Sequence, residues 1–267
     1  MKIYANHAHV FQKEVREDGT IDCLKRVMDI CGIERAVAFA PFYSLFDCGV
    51  GRAGDNPNCW LAAQIEHDDN LYGFGVVDFE RDDLDAQVRQ ISALGLNGIK
   101  LHPAFQKFRL DGEKAFAVYR AAEEEGLPVS FHSGVHWHRI SDYNVLLHEE
   151  IAYHFPKLRF SMEHVGGYSF FKEAVAVMVN NRGGRVFAGL TSVFDPAMNR
   201  FWYLGRERVE ELLWQVGAEQ CIFGLDFPYN NAERICEAIG AVHSLSATDG
   251  DKEKILGGNL MRFIRLD

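Results

Sequence analysis

The chain alternates between two hydrophobic rhythms. Compact apolar runs recur along it, and each is followed by a longer stretch in which apolar residues return every three or four positions. The first run covers residues 2–10 and contains His7-Ala8-His9. Ile21, Leu24, Val27, Met28 and Cys31 then share one helical face, which Gly32 stops. Further strand-like runs cover residues 35–40, 71–77, 98–103, 128–132, 158–164, 185–190 and 221–226. Helical stripes separate them, for example Leu84, Val88, Ile91 and Leu94, or Val209, Leu212, Leu213 and Val216, and a glycine ends most of these. A helix is predicted from about residue 232 and another after residue 251, while residues 41–58 and 133–144 show no periodicity and read as long loops.

Eight strand–helix units predict a parallel sheet of the α/β class, and that number suggests closure into a (β/α)8 TIM barrel, a single domain over residues 1–267. An open doubly wound sheet would carry a glycine-rich phosphate loop after the first strand. His-x-His stands there instead.

The polar residues of these apolar units fall where the strands run out, which is the face that carries active sites in such barrels. Strand one ends in His7 and His9, strand four in Lys100 and His102, strand five in His132, strand six in Glu163 and His164, and strand eight in Asp226. Alternation puts His7 and His9 on the same side of their strand. Two or three imidazoles, a carboxylate and an open position suit a catalytic divalent ion. The expected ligands are His7, His9, His132 and Asp226, with His164 beside the metal as a general acid, a base or an electrophile. One ion is expected, Zn2+ first and Mn2+ among the alternatives. Lys100 is read as a cation for a substrate carboxylate or oxyanion. His102 and the loop residues His136, Arg139 and Tyr229 are read as substrate-binding, with Phe42, Tyr43, Phe46, Arg52, Trp137 and His138 as further loop determinants.

Composition narrows the partners. The net charge of −10 argues against nucleic acid or an anionic membrane, and no apolar run approaches a membrane span of about 20 residues. The six cysteines form no Cys-x-x-Cys pair and are expected reduced, in a cytoplasmic protein acting on a small molecule. A homo-oligomer is compatible with the aromatic loops.

Several segments together resemble the amidohydrolase-related branch of the amidohydrolase superfamily. They are Asn6-His7-Ala8-His9, Gly98-Ile99-Lys100-Leu101-His102-Pro103, Pro128-Val129-Ser130-Phe131-His132-Ser133-Gly134, Met162-Glu163-His164-Val165-Gly166-Gly167, Gly224-Leu225-Asp226-Phe227-Pro228 and the tail from Lys254 to Phe263. The resemblance implies a distorted barrel and a single divalent metal. Its ligands would be His7, His9, His132 and Asp226, with His164 in catalysis. Asn6 stands where this branch more usually has Asp, which bears on hydrogen bonding around His7 rather than on ligation.

The leading expectation is hydrolysis of a small ester, lactone or amide, with or without a carboxylate, by water that the metal activates. Asp226 would accept the water's proton, and His164 would polarise the carbonyl or protonate the leaving group. The alternatives are non-oxidative decarboxylation of a small aromatic or unsaturated acid, an activity known in this branch, and a metal-binding barrel without catalysis.

Overall fold

The computed structural model describes residues 1–48 and 56–265, so Arg52 lies outside the described residues. Eight parallel strands close a barrel in sequence order: β1 (Ile3–His9), β2 (Ile33–Phe39), β3 (Leu71–Gly75), β4 (Gly98–Leu101), β5 (Val129–His132), β6 (Phe160–Glu163), β7 (Val186–Thr191) and β8 (Cys221–Phe227). The helices are α1 (Ile21–Cys31), α2 (Pro57–Ile65), α3 (Leu84–Ala93), α4 (Pro103–Gln106), α5 (Glu113–Glu125), α6 (His148–His154), α7 (Gly167–Asn180), α8 (Gly205–Val216), α9 (Ala232–His243), α10 (Asp249–Glu253) and α11 (Asn259–Ile264), with a π-helical turn (Lys254–Gly258) before the last. No helix among the described residues is long and apolar enough to cross a membrane.

Local chemistry sets the boundaries. The Thr20 side chain accepts from the Cys23 N–H at the start of α1, and Gly32 ends it at φ 65°. Asn56 caps α2, with Pro57 at its first position, which shortens the predicted loop 41–58. The strand predicted to run to residue 103 stops at Leu101, because Pro103 opens the short helix α4. The strand predicted over 158–164 stops at Glu163, because His164 turns to φ 64°.

Alternation sorts strand residues into two apolar clusters. Ala36 and Ala38 pack outward with Leu24, Val88 and Val118 of the helices. Val37 and Phe39 pack with Phe74, Phe187, Ile222 and the α11 residues Leu260, Phe263 and Ile264. The Phe39 ring joins this second cluster to the strand ends, 5.7 Å from Phe74 and 5.0 Å from His7.

Space inside the barrel is tight around one carboxylate. A Cβ at Gly189 would lie 2.2 Å from Glu163 Oε2, and a Cβ at Gly224 would lie 2.0 Å from Thr191 Oγ1. Both positions must stay without a side chain. Gly189→Ala should therefore destabilise the fold by about 1–3 kcal/mol in urea titration. Gly240→Ala, at an exposed position of α9 with nothing within 4 Å of the new Cβ, should leave stability unchanged or raise it by up to about 1 kcal/mol.

Candidate active site

Three groups converge where β1 meets β8. His7 Nε2 lies 3.1 Å from His9 Nε2 and 3.5 Å from Asp226 Oδ1. Simple alternation does not bring them together. His7 takes φ 67° and Asp226 φ 54°, and the ladder shifts register between Ala5 and Ala8 on one side and between Asn6 and Ala8 on the other. Both strands bulge at the residues that meet.

The hydrogen bonds fix which atoms are free. His7 Nδ1 sits 2.9 Å from Glu163 Oε2. A carboxylate accepts, so Nδ1 carries the proton and Nε2 of the neutral ring presents a lone pair. Ser192 Oγ donates to Asp226 Oδ2 at 2.7 Å, and Asn230 Nδ2 donates to Ser192 Oγ at 2.9 Å, which leaves Asp226 Oδ1 turned toward His7. Ligand atoms around a tetrahedral ion with bonds of about 2.0–2.1 Å lie about 3.3 Å apart. The His7, His9 and Asp226 donors match that spacing and chemistry, so a divalent ion fits them.

Glu163 organises the group from below. It is fully buried and accepts from Asn6 Nδ2 (2.9 Å), His7 Nδ1 (2.9 Å), Ser130 Oγ (3.0 Å), Ser161 Oγ (2.6 Å) and Thr191 Oγ1 (2.7 Å). Five donors offset the cost of removing a carboxylate from water.

The other imidazoles line the same cavity of about 340 Å³. His164 Nδ1 donates to the Thr191 carbonyl at 2.7 Å, so its Nε2 is unprotonated; that atom is buried and without a protein partner. Its ring stacks on Trp202 at 4.0 Å. His132 donates Nε2–H to the Gly134 carbonyl at 2.7 Å. It groups with His102 and His136 rather than with His7, His9 and Asp226, and with its Nε2–H committed to that carbonyl its lone pair is on Nδ1. Burial pushes His7, His9, His102, His132 and His164 well below the usual histidine range, and all are neutral. Burial raises Asp226 to about 6, against the Ser192 hydrogen bond.

Two sequence expectations do not reach the cavity wall. Lys100 is buried inside the barrel, its Nζ 5.1 Å from the Phe39 ring centre and without a hydrogen-bond partner. Burial lowers it to about 8 although Glu163 and Asp226 pull the other way. Arg139 is exposed and pairs with Asp142 at 3.5 Å. Among the described residues neither lines the cavity, and no other Lys or Arg does. His102, His136 and Tyr229 do line it, with the Arg16 guanidinium 4.7 Å from the Tyr229 ring centre. Phe42, Phe105, Phe201 and Trp202 form the apolar walls. The supporting roles of Glu163, Ser192 and Asn230 were not read from the sequence. Thr191-Ser192 at the end of β7 was the available signal, the same strand-end pattern in hydroxyl form.

Comparison with known proteins agrees with the barrel fold. The family model described as amidohydrolase matches residues 35–266, downstream of His7 and His9. No curated protein matches. Similar solved structures include an uncharacterised TIM-barrel protein from Bordetella bronchiseptica (TM-score 0.78, 18% identity, 99% of each chain covered). A dihydroxybenzoic acid decarboxylase from Polaromonas sp., solved with bound manganese and the inhibitor 2-nitroresorcinol, is similar at TM-score 0.73 and 14% identity, over 99% of this chain and 97% of that one. A putative 2-pyrone-4,6-dicarboxylic acid hydrolase from Pseudomonas putida is similar at TM-score 0.71 and 19% identity, over 100% of this chain and 98% of that one.

Two outcomes follow for metal binding. Glu163→Gln removes the carboxylate that holds His7 Nδ1–H and should weaken Zn2+ or Mn2+ binding about 10–100-fold in competition with a chromophoric chelator. An ion takes Asp226 ionised, so affinity should fall as pH drops through about 6, and a flat profile between pH 5 and 7 would contradict this.

Proposed function

The chain belongs to the amidohydrolase family, in its amidohydrolase-related branch, and from that premise we propose that it is a metal-dependent hydrolase of small, flat esters, lactones or amides. His7 and His9 through Nε2, and Asp226 through Oδ1, would hold one divalent ion, Zn2+ or Mn2+. His132 would complete the set. Such an ion supplies a Lewis acid and brings the pKa of water toward about 7.

The protein's own groups handle the proton. The observation that carries the hydrolytic reading is the unprotonated, buried Nε2 of His164, held in that tautomer by the Thr191 carbonyl. It can accept a proton from the attacking water and return it to the leaving group. Asp226 Oδ1 can share the first role, since Ser192 occupies the other oxygen. Trp202, stacked on His164, fixes the imidazole plane and keeps water from its face. Phe42, Phe105 and Phe201 favour a planar substrate. A carboxylate on it would depend on the ion, because neither Lys100 nor Arg139 lines the cavity.

Those same aromatic walls favour a second reading, decarboxylation of a small aromatic acid. That reaction needs an acid to protonate carbon, which a neutral His164 with a bare Nε2 does not offer.

Chelation should abolish turnover of a lactone and ester panel, and added Zn2+ or Mn2+ should restore it. His164→Ala should lower kcat by about 10²–10⁴-fold with metal content unchanged. In H₂¹⁸O, hydrolysis places one heavy oxygen in the acid product and releases no CO₂. Release of CO₂ without label would instead establish the decarboxylase.

A further inference from the structure

His102 is held in the opposite tautomer to His7 and His164. It follows β4 and caps α4: its Nδ1 accepts the Phe105 backbone N–H at 3.2 Å. An accepting Nδ1 carries the lone pair, so the proton of the neutral ring sits on Nε2. The ring is clamped. Its own backbone N–H donates to Gln106 Oε1 at 2.8 Å, Gln106 Nε2 donates to the Val77 carbonyl at 2.8 Å, and its face stacks on His132 at 3.9 Å and 8°. His102 is 7% exposed, it lines the cavity, and its Nε2 is buried without a protein partner.

This tautomer excludes a role that composition alone would suggest. His102, His132 and His136 lie close enough to hold a metal ion. Yet His102 Nε2 already bears its proton, and His132 donates Nε2–H to Gly134. His102 has given its Nδ1 lone pair to the Phe105 N–H and bears its proton on Nε2, so it offers no lone pair to an ion and the three rings do not make a three-ligand metal centre.

We propose that His102 Nε2–H is a substrate-recognition donor, a second anchoring point beside the His7–His9–Asp226 group. It takes an uncharged acceptor oxygen, a carbonyl or ether, carried on the ring of a small aromatic or conjugated substrate. A buried N–H left without an acceptor costs free energy, so a ligand that supplies the oxygen is selected over an isostere that lacks it. An uncharged group is specified because none of the described lining residues is Lys or Arg, and a second carboxylate would enter without a cation beside it. This inference rests on the reading that the ion captures one end of the substrate.

The test uses Zn2+-loaded protein and pairs of probes of matched shape: 3- and 4-acetylbenzoate against 3- and 4-isopropylbenzoate, with benzoate as the parent. Wild type should bind one acetyl isomer at least five- to tenfold tighter than its isopropyl partner by calorimetry. The two nitrogens of His102 can be separated. His102→Asn supplies an oxygen at the Nδ1 position, keeping the α4 cap, and withdraws the donor. His102→Gln supplies a side-chain N–H near the Nε2 position and gives up the cap. The acetyl preference should vanish in His102→Asn and persist in His102→Gln. A preference that survives His102→Asn overturns the proposal. So does an equal loss in both variants, which marks a structural role. In the metal-free protein, ¹⁵N NMR of labelled histidine should show His102 protonated at Nε2; a proton at Nδ1 overturns the proposal whatever the binding data. Benzoate that binds equally with and without Zn2+ removes the metal-capture reading itself, a result distinct from intact benzoate binding with no acetyl preference.

Discussion

Everything at this site depends on one buried carboxylate. Glu163 has no access to water, and an ionised carboxyl in that position is tolerable only if donors surround it. Asn6 and His7 of β1, Ser130 of β5, Ser161 of β6 and Thr191 of β7 supply them. Four strands from both halves of the chain must therefore arrive in one register. Gly189 must leave the volume that Glu163 Oε2 fills, and Gly224 must do the same for Thr191. The same carboxylate sets the tautomer of His7, and so decides that a lone pair, not an N–H, faces His9 and Asp226. Fold and chemistry are joined through that hydrogen bond.

The strand ends carry the backbone strain that this arrangement requires. His7, His164, Val165, Ser192 and Asp226 all have φ between 49° and 67°. Each such residue costs on the order of 1–3 kcal/mol, and the conformation persists only where surrounding contacts over-determine it. Here the contacts are visible: Glu163 on His7, the Thr191 carbonyl on His164, and the Asn230–Ser192 chain on Asp226. Four of the five residues present a polar group to the cavity or to its supporting network. The apolar cluster around Phe39, Phe74 and Phe263 lies behind them and keeps the barrel closed.

Periodicity revealed the eight units because each strand and helix signals itself locally. The polar strand ends were equally legible, so His7, His9 and Asp226 could be grouped although Asp226 is more than 200 residues from the pair. Side-chain direction was not legible. Alternation assumes a regular strand, and the left-handed turns at His7 and Asp226 redirect both residues. His132 turns to the Gly134 carbonyl, a partner two residues away that no spacing rule assigns. Lys100 shares β4 with apolar neighbours and points into the closed interior rather than the cavity, while Arg139 lies on an exposed loop beside Asp142. Glu163 could be seen at a strand end, but its role comes from donors on three other strands as well as its own, and only the closed barrel brings those together.

The central claim is that His7, His9 and Asp226 form the ion-binding centre and that the His102–His132–His136 cluster does not. Anomalous diffraction from crystals of the protein soaked in Zn2+ or Mn2+, recorded at the metal edge, tests it most directly. The account predicts one strong peak at bonding distance, about 2.0–2.2 Å, from His7 Nε2, His9 Nε2 and an Asp226 oxygen, with the His7 Nδ1–Glu163 contact preserved. A peak centred among His102, His132 and His136 with none at the β1–β8 junction would contradict it.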